Sequence, residues 1–425
     1  MSAATSVPVA PAFANDFFLA RQPILNRKQR LVAYELLFRH TDTATADVTD
    51  GAAATATVIA HASELGMEQV VGDQLAFVNV DETGLMSDFI RFLPNNKVIL
   101  EILETVHVTP AVLARIAELK ELGFRFALDD VCADSAELQQ LLPLMDVIKI
   151  DIRQVASNEL ATLAGALRHP RQKLLAEKVE TVEEFNMCMD LGFEYFQGYY
   201  FARPVILSGR KIAPSQLAIL NLLELLNSDA DQRDIERSVK HDAVVTLNLL
   251  RLVNTPAVGA RFRINSVGHA LVVLGRRQLQ RWLQILLYVK SGPNQEFDSP
   301  LLQLATVRGK TIELMMEHAH PGHRTGADIG FTVGIMSLMD TLFSVKMDEI
   351  LDSVNVLDDV RGALLHRRGH YGQMLALLEQ IERADMGADL ARSLHELHMT
   401  PAELYAIQVA AFDWVNEYAQ FIRKA

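Results

Sequence analysis

Between residues 16 and about 204, short runs of β-branched, aliphatic and aromatic residues alternate with amphipathic stretches of helical length. The pattern predicts strands over residues 17–21, 31–38, 75–80, 97–103, 125–129, 146–150, 173–176 and 194–198, with helices such as 110–122 and 182–191 between most of them. Eight strands with intervening helices predict a (β/α) barrel. The link over residues 25–30 is too short for a parallel crossover and reads as a hairpin, so the first strand is expected to run against the others. Beyond Pro204 the strand texture stops. Helical patterns follow at 214–226, 234–240, 244–254, 267–274, 276–289, 305–317, 330–343, 347–354, 358–366, 371–384, 388–395 and 401–422. The expected layout is a flexible leader over 1–15, a barrel domain over 16–205, a linker over 206–213 and an all-helical domain over 214–425. The Ala/Thr-rich stretch 43–57 reads as a loop leading into a helix.

Polar residues interrupt the strand pattern at one recurring place. Leu75-Ala76-Phe77-Val78 runs into Asn79, Val98-Ile99-Leu100 into Glu101, and Phe126-Ala127-Leu128 into Asp129-Asp130. Val147-Ile148 ends on Lys149, Leu174-Leu175-Ala176 on Glu177 and Tyr195-Phe196 on Gln197, while Glu35 lies within the apolar run 32–38. In a barrel the carboxyl ends of the parallel strands converge on one mouth, which would gather these groups around a common space. They are oxygen donors plus one lysine, with no Cys or His. That suits Mg²⁺ or Mn²⁺ and suits zinc poorly. Such a set is what two-metal phosphodiester hydrolysis requires, with Lys149 able to orient a water or hold a phosphate oxygen.

Half of the 425 residues are hydrophobic and 22% are charged, enough for sizeable cores. The net charge of −13 argues against nucleic-acid binding driven by overall charge. Cys132 and Cys188 stand in unrelated contexts and fit a reducing compartment better than a disulfide scaffold. The first residues lack a signal-peptide pattern and no window reads as a membrane span, so a cytoplasmic protein is expected. Cys132, beside the acidic pair, reads as a small tolerated residue in preference to a redox switch.

The ordered motifs resemble those of the EAL domain. They are Gln22-Pro23-Ile24, Glu35-Leu36-Leu37-Phe38-Arg39, Val78-Asn79, Glu101-Ile102-Leu103-Glu104, Leu128-Asp129-Asp130, Lys149-Ile150-Asp151, Glu177-Lys178-Val179-Glu180-Thr181 and Gln197-Gly198-Tyr199. The resemblance implies a modified barrel with one reversed strand that cleaves or senses cyclic di-GMP. It implies that Glu35, Asn79, Glu101, Asp129 and Asp130 ligate metal, and that Lys149 and Glu177 position and activate water. Gln22, Leu37, Arg39 and Gln197 would contact the nucleotide or support its site. Two departures stand out. The segment Val131-Cys132-Ala133-Asp134-Ser135 lacks the glycines and aromatic residue usual after the double aspartate, and Lys178 replaces a small residue between the two glutamates of its motif.

The helical half resembles the HDOD domain through Leu250-Arg251-Leu252-Val253-Asn254-Thr255-Pro256, Ile264-Asn265-Ser266-Val267-Gly268-His269-Ala270-Leu271, Leu274-Gly275-Arg276-Arg277-Gln278-Leu279 and Gly334-Ile335-Met336-Ser337-Leu338-Met339-Asp340. Ser337-Leu338 stands where related phosphohydrolases carry a metal-binding His-Asp pair, which implies a module without a cofactor. His241-Asp242 reads as a helix-terminal pair, and His318, His320 and His323 as a solvated loop. Arg251, Arg261, Arg263, Arg276, Arg277 and Arg281, with Trp282, form a basic patch expected to be a solvated helix face or to pair with the acidic barrel. Nucleic acid and membrane are not expected partners. A protein partner of the helical domain is expected, and a homodimer is compatible with the family. The favoured function is a cyclic di-GMP receptor with little turnover that signals through the helical domain. The alternatives are an active Mg²⁺- or Mn²⁺-dependent phosphodiesterase and a scaffold that binds no nucleotide.

Overall fold

A computed structural model describes residues 17–40, 67–133, 135–202, 214–228, 230–242, 245–246, 249–250, 253–254, 264, 266–288, 299–352, 354, 356–383 and 388–423. The expectations for the leader, the linker, the 43–57 stretch, most of helix 244–254, Arg251, Arg261, Arg263, Asp134 and the Arg39 side chain lie outside the described residues. The chain forms two compact units. One holds residues 1–203 and 380–413, the other residues 204–379 and 414–425.

The first unit is a closed eight-stranded barrel in sequential order. Its strands are β1 (Phe17–Asn26), β2 (Leu31–His40), β3 (Leu75–Val80), β4 (Val98–Ile102), β5 (Arg125–Leu128), β6 (Val147–Asp151), β7 (Lys173–Glu177) and β8 (Tyr195–Gln197). β1 is antiparallel to both β2 and β8, and the remaining neighbours are parallel, which is the reversed first strand that the short link required. The turn that makes this possible is local: Asn26 Oδ1 accepts from the backbone N–H groups of Lys28 and Arg30, and Gln29 adopts a left-handed φ of 56°.

The alternation of side chains along a strand decides what fills the barrel. Ile24, Ala33, Phe77, Ile99, Ala127, Val147 and Leu175 form one apolar layer, with Tyr195 packed against it. Two residues further along each parallel strand come Glu35, Asn79, Glu101, Asp129, Lys149, Glu177 and Gln197, and two residues back along the reversed β1 comes Gln22. A period of two puts both sets on the inner face, so a polar layer sits directly on an apolar floor. The cross-strand pairs Gln22↔Glu35 and Asn79↔Glu101 set the register of that layer.

Residues 380–413 group with the barrel, although their sequence texture is that of the helical half. Outside the barrel the Arg21 guanidinium lies 4.3 Å from the Tyr34 ring and 3.8 Å from the Phe412 ring. Its Nη1 also donates to the carbonyl of Val70. Phe412 lies in helix Pro401–Arg423 and is 4% exposed. Near the mouth, Tyr199 donates to a Glu382 carboxylate oxygen at 3.1 Å, and Gln22 Nε2 reaches the Glu382 carbonyl at 3.5 Å.

The second unit is helical. Helices Pro300–Ala319 and Arg324–Met336 approach closely through glycines: a Cβ on Gly334 would fall 2.4 Å from the backbone nitrogen of Gly309. Residues 324–343 are long and apolar enough to cross a membrane by composition, but 67% of the stretch is buried and Ser337–Leu338 divides it into two helices. Gly275, at φ 71°, breaks 267–286 between the expected helices 267–274 and 276–289. For two arginines of the basic patch, the expected solvated face or pairing with the barrel gives way to local partners. Arg281 bonds Glu313 at 2.6 Å and Arg277 bonds Asp328 at 2.6 Å, so both find acids within the helical unit. Trp282 is buried. Ser337 is also buried; its hydroxyl accepts from Arg308 at 2.9 Å and donates to the Gly334 carbonyl. His241 ends helix Gln232–His241, and Asp242 accepts from the Val245 N–H.

Replacing Phe412 with Ala should destabilise the barrel unit by about 3 kcal/mol, through lost burial and the lost face for Arg21. A lower urea midpoint with an unchanged slope would record it.

Candidate functional site

Lys149 occupies the centre of the polar layer and is 1% exposed. Its ammonium contacts Glu101 closely and lies 3.0 Å from Asp129, 2.9 Å from Glu177 and 3.5 Å from Glu35. These groups come from β2, the end of β5, β4, β6 and β7, so barrel closure is what brings them together. Gln197 on β8 donates one amide N–H to Glu35 at 2.6 Å and the other to Gln22 at 2.8 Å. Asn79 donates to the other Glu35 oxygen at 3.2 Å. Leu37, half-buried, is two residues beyond Glu35 and opposite Ala20. The structure therefore assembles Gln22, Glu35, Asn79, Glu101, Asp129, Lys149, Glu177 and Gln197 in one hydrogen-bonded ring. Asp130 stands beside that ring.

The electrostatics follow from crowding acids in a desolvated space. Burial pushes the Glu101 carboxyl well above its ordinary range, Glu35 adds repulsion, and Lys149 offsets only part of this. Burial also raises Glu177, to about 8; Lys149 opposes the shift, and Asp129 and Glu35 add to it. For Lys149 burial works against the charge, but its four carboxylates outweigh it and hold the ammonium charged well above the usual lysine range. Asp130 is raised by burial and by its neighbour Asp129, with Lys178 pulling the other way.

Two oxygens test whether a cation suits the ring. Glu101 is fully buried and its Oε2 has no donor; Asn79 spends its amide N–H on Glu35, which leaves Oδ1 buried without one. Buried acceptors without donors are costly, and a hard divalent ion is one group that would satisfy such oxygens. Glu35, Asn79, Glu101 and Asp129 could hold such an ion. A second acidic group lies at the rim. Glu104, Asp129 and Asp130 each bring one oxygen within 4.8 Å of the others, yet Glu104 is exposed and Asp130 half-buried. The chain turns there on Asp130 itself, at φ 46°, and Val131 is then pinned to the Lys149 carbonyl. With no glycine following, an aspartate carries the left-handed turn.

Two site residues were not singled out by the strand-end pattern. Asp151 is 2% exposed at the end of β6 and accepts from Lys178 Nζ at 2.5 Å, from Gln154 and from the Arg153 N–H. The signal was available, since Asp151 is two residues beyond Lys149 and therefore on the same face. Gly198 is the other. At φ 144° its hydrogen faces the Val179 carbonyl, 2.0 Å from where a Cβ would lie, and Val179 N–H bonds the Gln197 carbonyl. This close approach locks the β7 loop against β8.

Without a divalent ion, Lys149→Met should cost about 3–5 kcal/mol, because it leaves buried carboxylates uncompensated; added Mn²⁺ should recover part of the loss in a thermal melt. Between about 4.5 and 8 the folded protein keeps a Glu177 proton that the unfolded chain has released. The metal-free protein should therefore lose stability as pH rises through that window. Cation binding at pH 7 should release protons, read as a dependence of the calorimetric heat on buffer ionisation enthalpy.

Comparison with known proteins identifies two domain families along the chain. The EAL domain family model matches residues 9–204, and the HDOD domain family model matches residues 213–301. The Bacillus subtilis (strain 168) protein YuxH is 30% identical over 408 residues, covering 94% of this chain and 98% of YuxH. The cyclic di-GMP phosphodiesterase CdgJ of Vibrio cholerae is 32% identical over 376 residues, covering 87% of this chain and 85% of CdgJ. Among solved structures, the Bacillus subtilis YkuI protein, which has an EAL domain and is in complex with cyclic di-GMP and calcium, is 19% identical. That match has a TM-score of 0.37 and covers 57% of this chain and 65% of YkuI.

Proposed function

The chain belongs to the family that joins an EAL domain to an HDOD domain, and from that premise we propose that its barrel binds cyclic di-GMP with a divalent cation and turns it over slowly. The observation that carries this reading is the unequal quality of the two halves of the site. Glu35, Asn79, Glu101 and Asp129 are fixed by hydrogen bonds or ion pairs around Lys149 and retain oxygens suited to a cation. Asp130 and Glu104 stand on turns at the rim, half-buried and exposed, beside a segment without glycine. Binding needs the first half, whereas in-line displacement needs both reacting oxygens placed to within a fraction of an ångström. Misplacement by about 1 Å costs on the order of a hundredfold in rate.

In this reading Gln22 and Gln197 present amide groups to the nucleotide at the mouth, near Leu37, and Arg39 is the further nucleotide contact that the family resemblance implies. Lys149 holds a fixed positive charge towards a phosphate oxygen. Glu177 takes a proton at its carboxylate and is poised near neutral pH to do so. A bound Mg²⁺ or Mn²⁺ supplies Lewis-acid activation of water and of the phosphoryl oxygen. The helical domain, in which Ser337-Leu338 stands where the resemblance expects a metal-binding His-Asp pair and Arg308 donates to Ser337, relays occupancy to a protein partner.

A second reading, an active phosphodiesterase, is favoured by the 32% identity to CdgJ over most of both chains. Incubating the full chain with cyclic di-GMP and each cation separates the two readings. The expected outcome is cation-dependent binding, weakened at least about tenfold by Glu35→Ala, with little linear dinucleotide formed. Rapid cation-dependent turnover that Glu35→Ala abolishes would replace the receptor with the enzyme. No binding would leave a scaffold.

A further inference from the structure

Helix Gly369–Glu382 ends on a charge that is wrong for a helix end. Its last turn carries Glu379 and Glu382 and no basic side chain, although the partial negative charge of a helix C-terminus favours cations there. Glu379 has a local answer, since the Arg367 guanidinium donates to its two oxygens at 2.7 and 3.0 Å. Glu382 has a different one. Its carboxylate accepts from the Tyr199 hydroxyl at 3.1 Å, and its carbonyl, among the last of the helix, faces Gln22 Nε2 at 3.5 Å.

Both contacts are made at the barrel mouth. Gln22 belongs to the polar ring, where its side-chain oxygen accepts from Gln197, which in turn donates to Glu35. Tyr199 follows Gly198, whose packing against Val179 leaves no room for a Cβ, and the Tyr200 N–H bonds the Val179 carbonyl. The mouth side of this contact is therefore fixed. What residue 382 brings to it is a carboxylate and the negative end of a helix, both acceptors. An anionic phosphodiester entering the mouth meets unfavourable charge, and a Gln22 N–H is already directed at Glu382. Gln22, Tyr199 and Glu382 are all half-buried, so water can replace these hydrogen bonds at small net cost.

We propose that Glu382 is an autoinhibitory contact, which a cyclic dinucleotide must displace from Gln22 and Tyr199 to occupy the mouth. The inference rests on the reading of the barrel as a cyclic di-GMP site and adds the step by which occupancy leaves it. Residues 369–379 of the same helix belong to the helical unit and residues 380–382 to the barrel unit. Release of Glu382 thus frees one end of a helix whose other end is rooted in the helical unit. A carboxylate that instead accepted from the guanine N–H groups would act with the opposite sign.

Calorimetric titration of the full chain with cyclic di-GMP and Mg²⁺ reads that sign. Glu382→Ala should bind about tenfold tighter than the wild type. Glu382→Gln, which loses the charge and keeps an oxygen for Tyr199, should tighten less. In the wild type, hydrogen–deuterium exchange over residues 376–383 should rise on saturation with the nucleotide, as the helix end leaves its two partners. This second readout needs no variant and decides the matter if the alanine protein does not fold. Unchanged or weaker binding by Glu382→Ala overturns the inference while the cyclic di-GMP site stands, and weaker binding makes Glu382 a nucleotide contact. Exchange that falls or stays level overturns it equally. If neither the wild type nor Glu382→Ala binds the nucleotide, the cyclic di-GMP reading fails and the inference with it.

Discussion

A single buried ammonium holds the barrel's polar layer together. Lys149 is enclosed by Glu35, Glu101, Asp129 and Glu177, each delivered by a different strand or strand end. Four carboxylates that close would not tolerate one another without it, and an isolated ammonium would not tolerate that depth without them. Only a closed barrel in this register satisfies both demands. The same arrangement explains why a cation is wanted. One positive charge among four acids leaves the layer electron-rich, burial lifts Glu101 and Glu177 towards protonation, and oxygens of Glu101 and Asn79 remain without donors.

The reversal of β1 completes this layer. Because β1 runs against its neighbours, Gln22 enters the ring from two residues before the apolar floor residue Ile24, where every other strand contributes from two residues after. Gln197 bridges the seam by bonding both Gln22 and Glu35. The outer face of that seam carries Arg21, whose guanidinium lies between the Tyr34 and Phe412 rings. Residues 380–413 are therefore part of what stabilises the hairpin that supports the site.

In the helical unit several charged side chains are buried in shared ion-pair networks. Glu313, 2% exposed, gathers Arg281, Arg277 and Lys310, and Arg281 also lies over the Phe331 ring. Arg308, 1% exposed, bonds Ser337 and faces Glu379. A guanidinium with fixed geometry organises such a buried network well.

The sequence by itself determined the barrel, the reversed first strand and most of the ring, because these depend on local rules. A period of two places Glu35, Asn79, Glu101, Lys149, Glu177 and Gln197 on the inner face, and a link as short as residues 25–30 admits only a hairpin. The break at Gly275 falls between the two helical stretches 267–274 and 276–289 that the sequence predicted. Tertiary structure alone decided the rest. The acids that pair with Arg277 and Arg281 are 51 and 32 residues away in sequence, and the return of residues 380–413 to the barrel leaves no trace in local texture. That Asp130 itself takes the left-handed turn, and that Lys178 reaches Asp151, follows from backbone angles and from two loops meeting. Periodicity specifies which face a side chain takes; which distant charge it meets there is settled only when the chain closes.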